Sequence, residues 1–284
     1  MKKVLLIASL VLTGIIGYSQ GIETPAASPA GSVSTVVGLT DVKIDYSRPR
    51  LKGRKVFGTE PTVLLPYGKI WRSGANAGTT ITFSGDVKVE GIAVPKGTYL
   101  ILSWPGATEW TVSLYKDVEM GGQTDKYDAS KDAANFKVKP EKLAEKVETL
   151  TYNISDISND NKSAKVQLAW ENTSVKFTIS TEFEAQVMAS IEANTKVSPG
   201  NYFNAAVFYL ENGKDLKQAL DWINKAAEGM NNPFWVLHQK AKIQKALGDK
   251  AGAIATATAS AADAKKNNNR DYQIMNEDLI KSLK

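Results

Sequence analysis

Arginine is the residue type whose placement in this chain most suggests chemistry. The chain has 284 residues, with 35 Lys and Arg against 30 Asp and Glu, and only five of the bases are Arg. Four of these five lie between positions 48 and 72, inside a segment, residues 41–72, that holds a local charge of +5. A guanidinium is a planar fork that binds carboxylates, phosphates or backbone carbonyls at two points and stacks on aromatic rings. This arginine segment is therefore the first place to look for a binding site.

Two interpretations of the arginine segment compete. In the first, the guanidinium groups tie down an irregular stretch of chain by bonding its own carbonyl oxygens and acidic side chains. In the second, the segment binds an anionic or carbohydrate ligand: the arginines clamp acidic groups, Lys69 adds a point charge, and aromatic rings stack on the ligand. In the second hypothesis Asn76 shapes the turn that positions the others. The ligand-binding residues of that hypothesis are Arg48, Arg50, Arg54, Tyr67, Lys69, Trp71, Arg72 and Asn76.

The composition excludes several kinds of active site. The chain has no Cys and one His, so a thiolate nucleophile, a disulfide framework, a zinc or iron–sulfur site built on thiolates and a multi-histidine metal centre all lack their atoms. No metal and no cofactor is expected. A lone His on a helix is usually a packed or surface residue, and we expect that of His238, as we expect packing roles for Trp222 and Trp235.

A catalytic alternative rests on carboxylates. Residues 21–180 contain neither His nor Cys, so nucleophilic and general-base chemistry there would depend on carboxylates, Tyr or Lys. Glu109 paired with Asp117 or Glu119 would suit a hydrolase that acts on cell-envelope glycans, because glycosidic cleavage uses two acids about 5–10 Å apart. Their spacing in the sequence is not specific, and we favour a protein without catalytic activity.

The amino terminus has the pattern of a secretory signal peptide. Two lysines precede an apolar run over residues 4–16, and the small residues Gly17 and Ser19 fit a cleavage site after Ser19. The run is too short to span a bilayer, and no Cys follows it that could carry a lipid anchor. We therefore expect an exported protein, periplasmic or extracellular, with no membrane span after cleavage. The mature chain carries a charge of only +3, which does not indicate a nucleic-acid partner.

Residues 35–180 alternate between apolar and polar side chains, which predicts short half-buried strands. We expect tight turns between these strands, for example at residues 84–86 and at residues 171–173. Many short strands joined in this way predict an antiparallel β-sandwich or open barrel. We expect a short helix over residues 140–147, since Pro140 suits a first helical position, and a long loop over residues 118–135.

Three motifs in this region carry a family resemblance. They are residues 47–58 (SRPRLKGRKVFG), residues 65–76 (LPYGKIWRSGAN) and residues 79–83 (TTITF), with weaker elements at residues 94–99 and 110–112. Over roughly residues 35–180 the chain resembles an exported bacterial family catalogued as domain of unknown function 2911. The resemblance implies a secreted, β-rich module and no established activity.

From Thr181 onward the periodicity becomes helical and repeats at a spacing of 34. Ala185, Ala219 and Ala253 share one phase of the repeat, and Pro199 and Pro233 share another. The pattern resembles tetratricopeptide repeats, which commonly bind peptides or partner proteins in a groove. About two and a half repeats are present, so a buttress against the β domain or a dimer contact is the alternative. The helices are expected at residues 182–195, 201–211, 215–229, 234–247, 249–266 and 270–283.

The sequence thus predicts an α+β chain of two domains, an N-terminal antiparallel β-sandwich followed by a short tetratricopeptide-like α-helical stack. Its divisions are a signal peptide (residues 1–19), a linker (20–34), the β-sandwich (35–180) and the helical domain (181–284). The expected function is that of an exported non-catalytic binding or scaffold protein. Its expected partners are an anionic or carbohydrate ligand at the arginine segment and a protein or peptide at the helical domain.

Overall fold

The computed structural model describes residues 24–194 and 198–284. The chain divides into two compact units, the first ending at Thr181 and the second spanning Glu182–Lys284. We call them the β unit and the helical unit. The α+β prediction is confirmed, because antiparallel sheets build the first unit and six helices build the second. The predicted signal peptide lies outside the described residues. Within the described residues, no helix combines the length and the apolar character needed to cross a membrane.

Two facing sheets and a small ribbon make up the β unit. The strands are β1 (Ala30–Val37), β2 (Thr40–Ser47), β3 (Phe57–Gly58), β4 (Leu65–Pro66), β5 (Thr79–Phe83), β6 (Val87–Val89), β7 (Ile92–Val94), β8 (Gly97–Trp104), β9 (Trp110–Tyr115), β10 (Asp132–Val138), β11 (Glu141–Ser155) and β12 (Ser163–Ser180). One sheet has the order β1-β2-β5-β8-β9-β10 and the other β11-β12-β6-β7, both antiparallel. The ribbon β3-β4 is parallel.

The core of the β unit lies between the two sheets, where alternating residues of each strand meet. On β2, Val42 and Ile44 are buried while Lys43 between them is exposed, as the period of two requires. Val166 and Leu168 on β12 bury the same way from the opposite sheet into the same cluster. Burial of this kind, at roughly 25 cal/mol per Å² of apolar surface, holds the unit together without a disulfide.

The predicted helix over residues 140–147 is wrong, because this stretch begins the long strand β11. The charged, straight-chain residues there suit a helix locally, but β11 pairs with β12, and that pairing overrides local propensity. The pairing is irregular, with register shifts on both sides of Val147. The predicted turn at residues 171–173 is also wrong, since β12 continues through it with Glu171 in the left-handed region at φ 57°.

The two stretches expected to be irregular are shorter than predicted. The linker, expected over residues 20–34, gives way to β1 at Ala30, because the small residues there pair with β2 along their whole length. The loop over residues 118–135 contains three short 3-10 turns, and β10 begins inside it at Asp132.

The helical unit contains the six helices that the periodicity predicted. They are α1 (Glu184–Asn194), α2 (Pro199–Glu211), α3 (Leu216–Gly229), α4 (Phe234–Ala246), α5 (Lys250–Lys266) and α6 (Arg270–Lys281). The recurring Ala219 and Ala253 are fully buried where helices approach closely. Asp215 and Asp249 also lie 34 positions apart, and both are N-cap residues whose carboxylates accept backbone N–H groups of the first turn. These positions of the 34-residue repeat therefore correspond to close helix contacts and to the N-cap residues of helices.

Candidate functional site

Arg48 connects the two sheets of the β unit. It follows β2 in one sheet, and its guanidinium donates to the carbonyl oxygen of Leu150 (3.4 Å) and to the hydroxyl of Thr151 (3.3 Å) on β11 of the other. The backbone of β1 packs on its stem, because a Cβ built at Gly31 would approach Cδ of Arg48 to 2.8 Å. The fork of Arg48 is thus occupied by this chain's own oxygens.

Arg54 and Arg72 are also bonded to backbone carbonyls. Arg54 donates from Nε to the carbonyl oxygen of Leu51 (3.0 Å) and from Nη2 to that of Arg50 (2.8 Å). Arg72 donates to the carbonyl oxygens of Asn76 (3.0 Å) and Gly122 (3.3 Å). Three of the four clustered arginines therefore bond this chain's own oxygens, and two of them, Arg54 and Arg72, stabilise irregular backbone as the first interpretation requires.

The other motif residues join this structural network. Trp71 is 5% exposed, stacks on Trp170 at a centroid distance of 5.9 Å, and donates from its indole nitrogen to the carbonyl oxygen of Gly74. Asn76 lies in the left-handed region at φ 56°, and its amide donates to the hydroxyl of Ser47 at 3.0 Å. A buried Trp71 has no face to offer a ligand, and Asn76 contributes a left-handed backbone conformation to the turn.

Three residues of the proposed ligand set remain accessible. Arg50 and Lys69 are exposed, and their side chains have no hydrogen-bond or ion-pair partner in the part of the chain that the structure describes. Tyr67, which follows β4, is half-buried against the core. Of these three, Tyr67 lines a cavity, and the lining of that cavity includes none of the four clustered arginines.

A polar cleft of about 330 Å³ opens beside Tyr67. Phe57 and Trp110, both buried, contribute to its wall. Its polar lining comes from the start of β11 and from the point of β12 where Glu171 is left-handed. These polar residues are Glu141, Lys142, Glu171, Asn172 and Thr173. We call this the Tyr67 cleft. Sequence reasoning missed it because the Glu171–Thr173 signal was interpreted as a turn.

The carboxylates of the hydrolase alternative do not form a catalytic pair. Glu109 precedes the six-residue strand β9, and Asp117 and Glu119 follow it, so about 20 Å of strand separates Glu109 from the other two, beyond the ~5–10 Å that glycosidic cleavage needs. Glu109 pairs with Lys137 at 2.6 Å. Asp117 accepts a hydrogen bond from Lys131 (2.7 Å), which holds the pKa of its carboxyl below the ordinary value, whereas a general acid needs a raised pKa.

The helical unit has a groove of about 740 Å³ on the side where α2, α4 and α6 neighbour one another. Apolar side chains of all three helices line it, among them Leu210, Met275 and Leu279. Lys242 and Lys245, on the same face of α4, add two ammonium groups. We call this the α2-α4-α6 groove.

His238 borders the groove but is engaged inside the unit. It is 4% exposed, and its Nδ1 lies 2.9 Å from Oδ1 of Asn276. The Asn276 amide nitrogen donates to Ser260 and to the carbonyl of Tyr272, so Oδ1 accepts and Nδ1 of His238 carries the proton. Burial lowers the pKa of this imidazole.

His238 and the half-buried Trp222 are packing residues, as expected, whereas Trp235 is 41% exposed. Within the described ranges, no cluster of three or more His, Asp or Glu side chains is arranged so that it could hold a metal ion.

Comparison with known proteins supports the resemblance carried by the motifs. A family model described as "Protein of unknown function (DUF2911)" matches residues 28–179, more than half of the chain. The match covers the β unit and ends before the helical unit begins. No curated protein and no solved structure matches the chain.

Proposed function

The chain belongs to the DUF2911 family of proteins of unknown function, and from that premise we propose that it is an exported, non-catalytic binding protein. Its binding surface for a protein partner is the α2-α4-α6 groove. The occupant is an extended acidic segment of the partner that also carries apolar side chains. The observation that supports this choice most directly is the excess of ammonium groups over carboxylates on the groove wall.

Positive charge dominates the wall of the α2-α4-α6 groove. Lys242 is half-buried, and its ammonium has no hydrogen-bond or ion-pair partner among the described residues, while Lys245 donates to the hydroxyl of Ser282 (2.8 Å). The acidic residue of the groove, Asp278, is paired with Lys281 at 3.1 Å. An ammonium beside apolar surface favours a carboxylate with neighbouring apolar atoms, because part of its hydration is already lost.

The apolar floor of the groove would contact the apolar side chains of the partner segment. Met275 is 45% exposed although it points to a groove flanked by packed helices, and Leu210 and Leu279 are half-buried beside it. Flexible Met side chains adapt to varied apolar partners. An alternation of acidic and apolar residues in the partner would satisfy the lysines and the floor together.

Fluorescence anisotropy with labelled short peptides tests this function. The probes are a peptide of alternating Glu and Leu and a peptide of alternating Lys and Leu. We expect the acidic peptide to bind and the basic one not to bind. The double substitution Lys242→Glu and Lys245→Glu should weaken binding by at least about tenfold, and added salt should weaken it further.

A matched charge control lies on the neighbouring helix. Lys265 and Lys266 are exposed in the last turn of α5, outside the groove, so reversing both to Glu makes the same change in net charge. Binding that falls equally in both double variants would mean a general electrostatic attraction. That outcome, or equal affinity for the acidic and basic peptides, would rule out the groove as the binding surface.

Export is supported by the sequence of the first nineteen residues, which lie outside the described structure. Expression of the full chain in a bacterium with a periplasm, followed by fractionation and amino-terminal sequencing, tests it. We expect the mature chain in the periplasm or medium and beginning at Gln20. A cytoplasmic chain that still begins at Met1 would refute export.

A further inference from the structure

We propose that the Tyr67 cleft binds a single sugar ring of an uncharged glycan. The cleft is in the β unit, so this inference does not depend on the groove of the helical unit. Its volume of about 330 Å³ is at the lower end of the ~300–1,000 Å³ that small-molecule pockets span. A cavity of this size suits one ring rather than a polymer segment.

The polar groups of the cleft match hydroxyl groups, which both donate and accept hydrogen bonds. Glu141 and Glu171 bring carboxylate acceptors, and Lys142 brings an ammonium donor. The amide of Asn172 and the hydroxyl of Thr173 can do both. These last two side chains are half-buried, yet neither bonds any residue that the structure describes, so their hydrogen-bonding capacity is open to a ligand.

Glu171 is fixed before any ligand arrives. Its Oε2 accepts the backbone N–H of Val56 at 3.2 Å, which orients the carboxylate. Its backbone has φ 57°, a left-handed conformation that is strained for a residue with a side chain. This conformation within a continuous strand directs Glu171, Asn172 and Thr173 to line the same cavity. A site whose groups are held in place loses less entropy on binding.

The charges around the cleft favour an uncharged ligand. Glu141 lies 3.8 Å from the ammonium of Lys176. Lys55 is close enough to Glu171 for that carboxylate to raise the pKa of its ammonium, after the larger effect of the hydrogen bond to Glu60. Lys142 also lines the cleft, so neither positive nor negative charge dominates there. The cleft therefore does not strongly attract either an anion or a cation.

Tyr67 supplies the apolar surface that a sugar ring needs on one face. Its ring is half-buried against the core, and it lines the cleft with Phe57 and Trp110. The C–H groups of a pyranose can pack on an aromatic face while its hydroxyls bond the polar side. The arrangement thus separates an apolar wall from a polar wall, as the two faces of a sugar do.

Isothermal titration and saturation-transfer NMR on the full mature chain test this inference. The probes are glucose, galactose, mannose and N-acetylglucosamine, each also as a short oligosaccharide. We expect saturable binding of at least one of them. Tyr67→Ala and Asn172→Ala should each weaken that binding by about tenfold or more. Tyr67→Phe, which keeps the ring, should retain it.

The matched control is Asn153→Ala, because Asn153 is exposed on β11 and is not part of the cleft. It should bind as the parent protein does, and unfolding curves should show that each variant is folded. Failure of every probe to bind, or binding that Tyr67→Ala and Asn172→Ala leave unchanged, would overturn the proposal. Saturable binding of inorganic phosphate or tetramethylammonium that these variants abolish would assign the cleft to an ion and overturn it as well.

Discussion

The hydroxyl of Tyr152 on β11 donates a hydrogen bond of 2.9 Å to the carbonyl oxygen of Ser73. Both residues are buried, and Ser73 is held in the left-handed region at φ 52°. The same carbonyl accepts the hydroxyl of Thr79 (2.9 Å), and the Ser73 hydroxyl bonds that of Ser103 (2.8 Å). Strands of both sheets thus hold one turn. Residues 65–76 form one of the motifs that carry the family resemblance. The hydrogen bonds at Ser73 give this part of the motif a structural role.

Replacement of Tyr152 by Phe should lower the free energy of unfolding by about 1 kcal/mol. The Ser73 carbonyl keeps its bond from Thr79, so the loss is that of one buried hydrogen bond. Tyr46 is the matched control, since its ring packs edge-to-face on that of Tyr152 at 4.9 Å and its hydroxyl bonds no described residue. Urea denaturation should show Tyr46→Phe close to the parent. Equal losses in the two variants would show that the hydroxyl of Tyr152 contributes nothing specific.

Arg48→Lys should destabilise the β unit by about 1 kcal/mol, because an ammonium cannot reproduce the two-point contact with Leu150 and Thr151. Arg50→Lys changes the same chemistry at an exposed side chain without a described partner, and its effect should stay within about 0.5 kcal/mol. Urea denaturation of both variants makes the comparison. If inorganic phosphate stabilises the parent and neither variant, the two arginines form an anion site, and the structural interpretation of Arg48 fails.

Most of the architecture could be predicted from the sequence, because burial periodicity is a local signal. Six helices and the alternating strands follow from it, and so does the change of periodicity near Thr181. The stretch at residues 140–147 could not be predicted, since its helical propensity is local and its pairing with β12 is not. Local patterns identify elements and leave their partners open.

The candidate site was harder to predict for the same reason. Arg48 reaches Leu150, which lies 102 positions away, and no spacing in the sequence indicates that contact. The Tyr67 cleft gathers residues from five separate stretches of chain. An unusual clustering of Arg was visible in the sequence, but whether it serves backbone or ligand depends on these distant carbonyl oxygens.

The stability of the β unit should fall as pH rises above about 10. Burial, assisted by a hydrogen bond to Asp132 (2.8 Å), raises the pKa of Tyr127 from 10.0 to about 12. Burial also raises the pKa of Tyr99 and of Tyr152. A raised folded pKa gives stability that is complete below the unfolded value and is lost as pH rises through the folded one.

The variant Tyr127→Phe isolates one of these groups. It lacks the hydrogen bond, so it should be less stable than the parent below pH 10.0, and this deficit should shrink between pH 10.0 and about 12 as the parent loses its contribution. Urea denaturation at several pH values measures the deficit. A deficit that stays constant over that range would show that Tyr127 does not titrate differently in the folded state.

The helical unit should lose stability as pH falls below 6.5, through the protonation of His238. Burial lowers the pKa of this imidazole from 6.5, the nearby Lys242 lowers it further, and the bond to Asn276 opposes both. A lowered folded pKa gives stability that is present above the unfolded value and is lost as pH falls through the folded one.

His238→Gln cannot take up that proton, so its stability should depend less on pH between about 8 and 5. Urea denaturation followed by far-ultraviolet circular dichroism measures both proteins, and the difference between them cancels carboxylate titrations they share. Identical pH slopes would show that the imidazole of His238 takes up its proton over the same pH range in the folded and unfolded states.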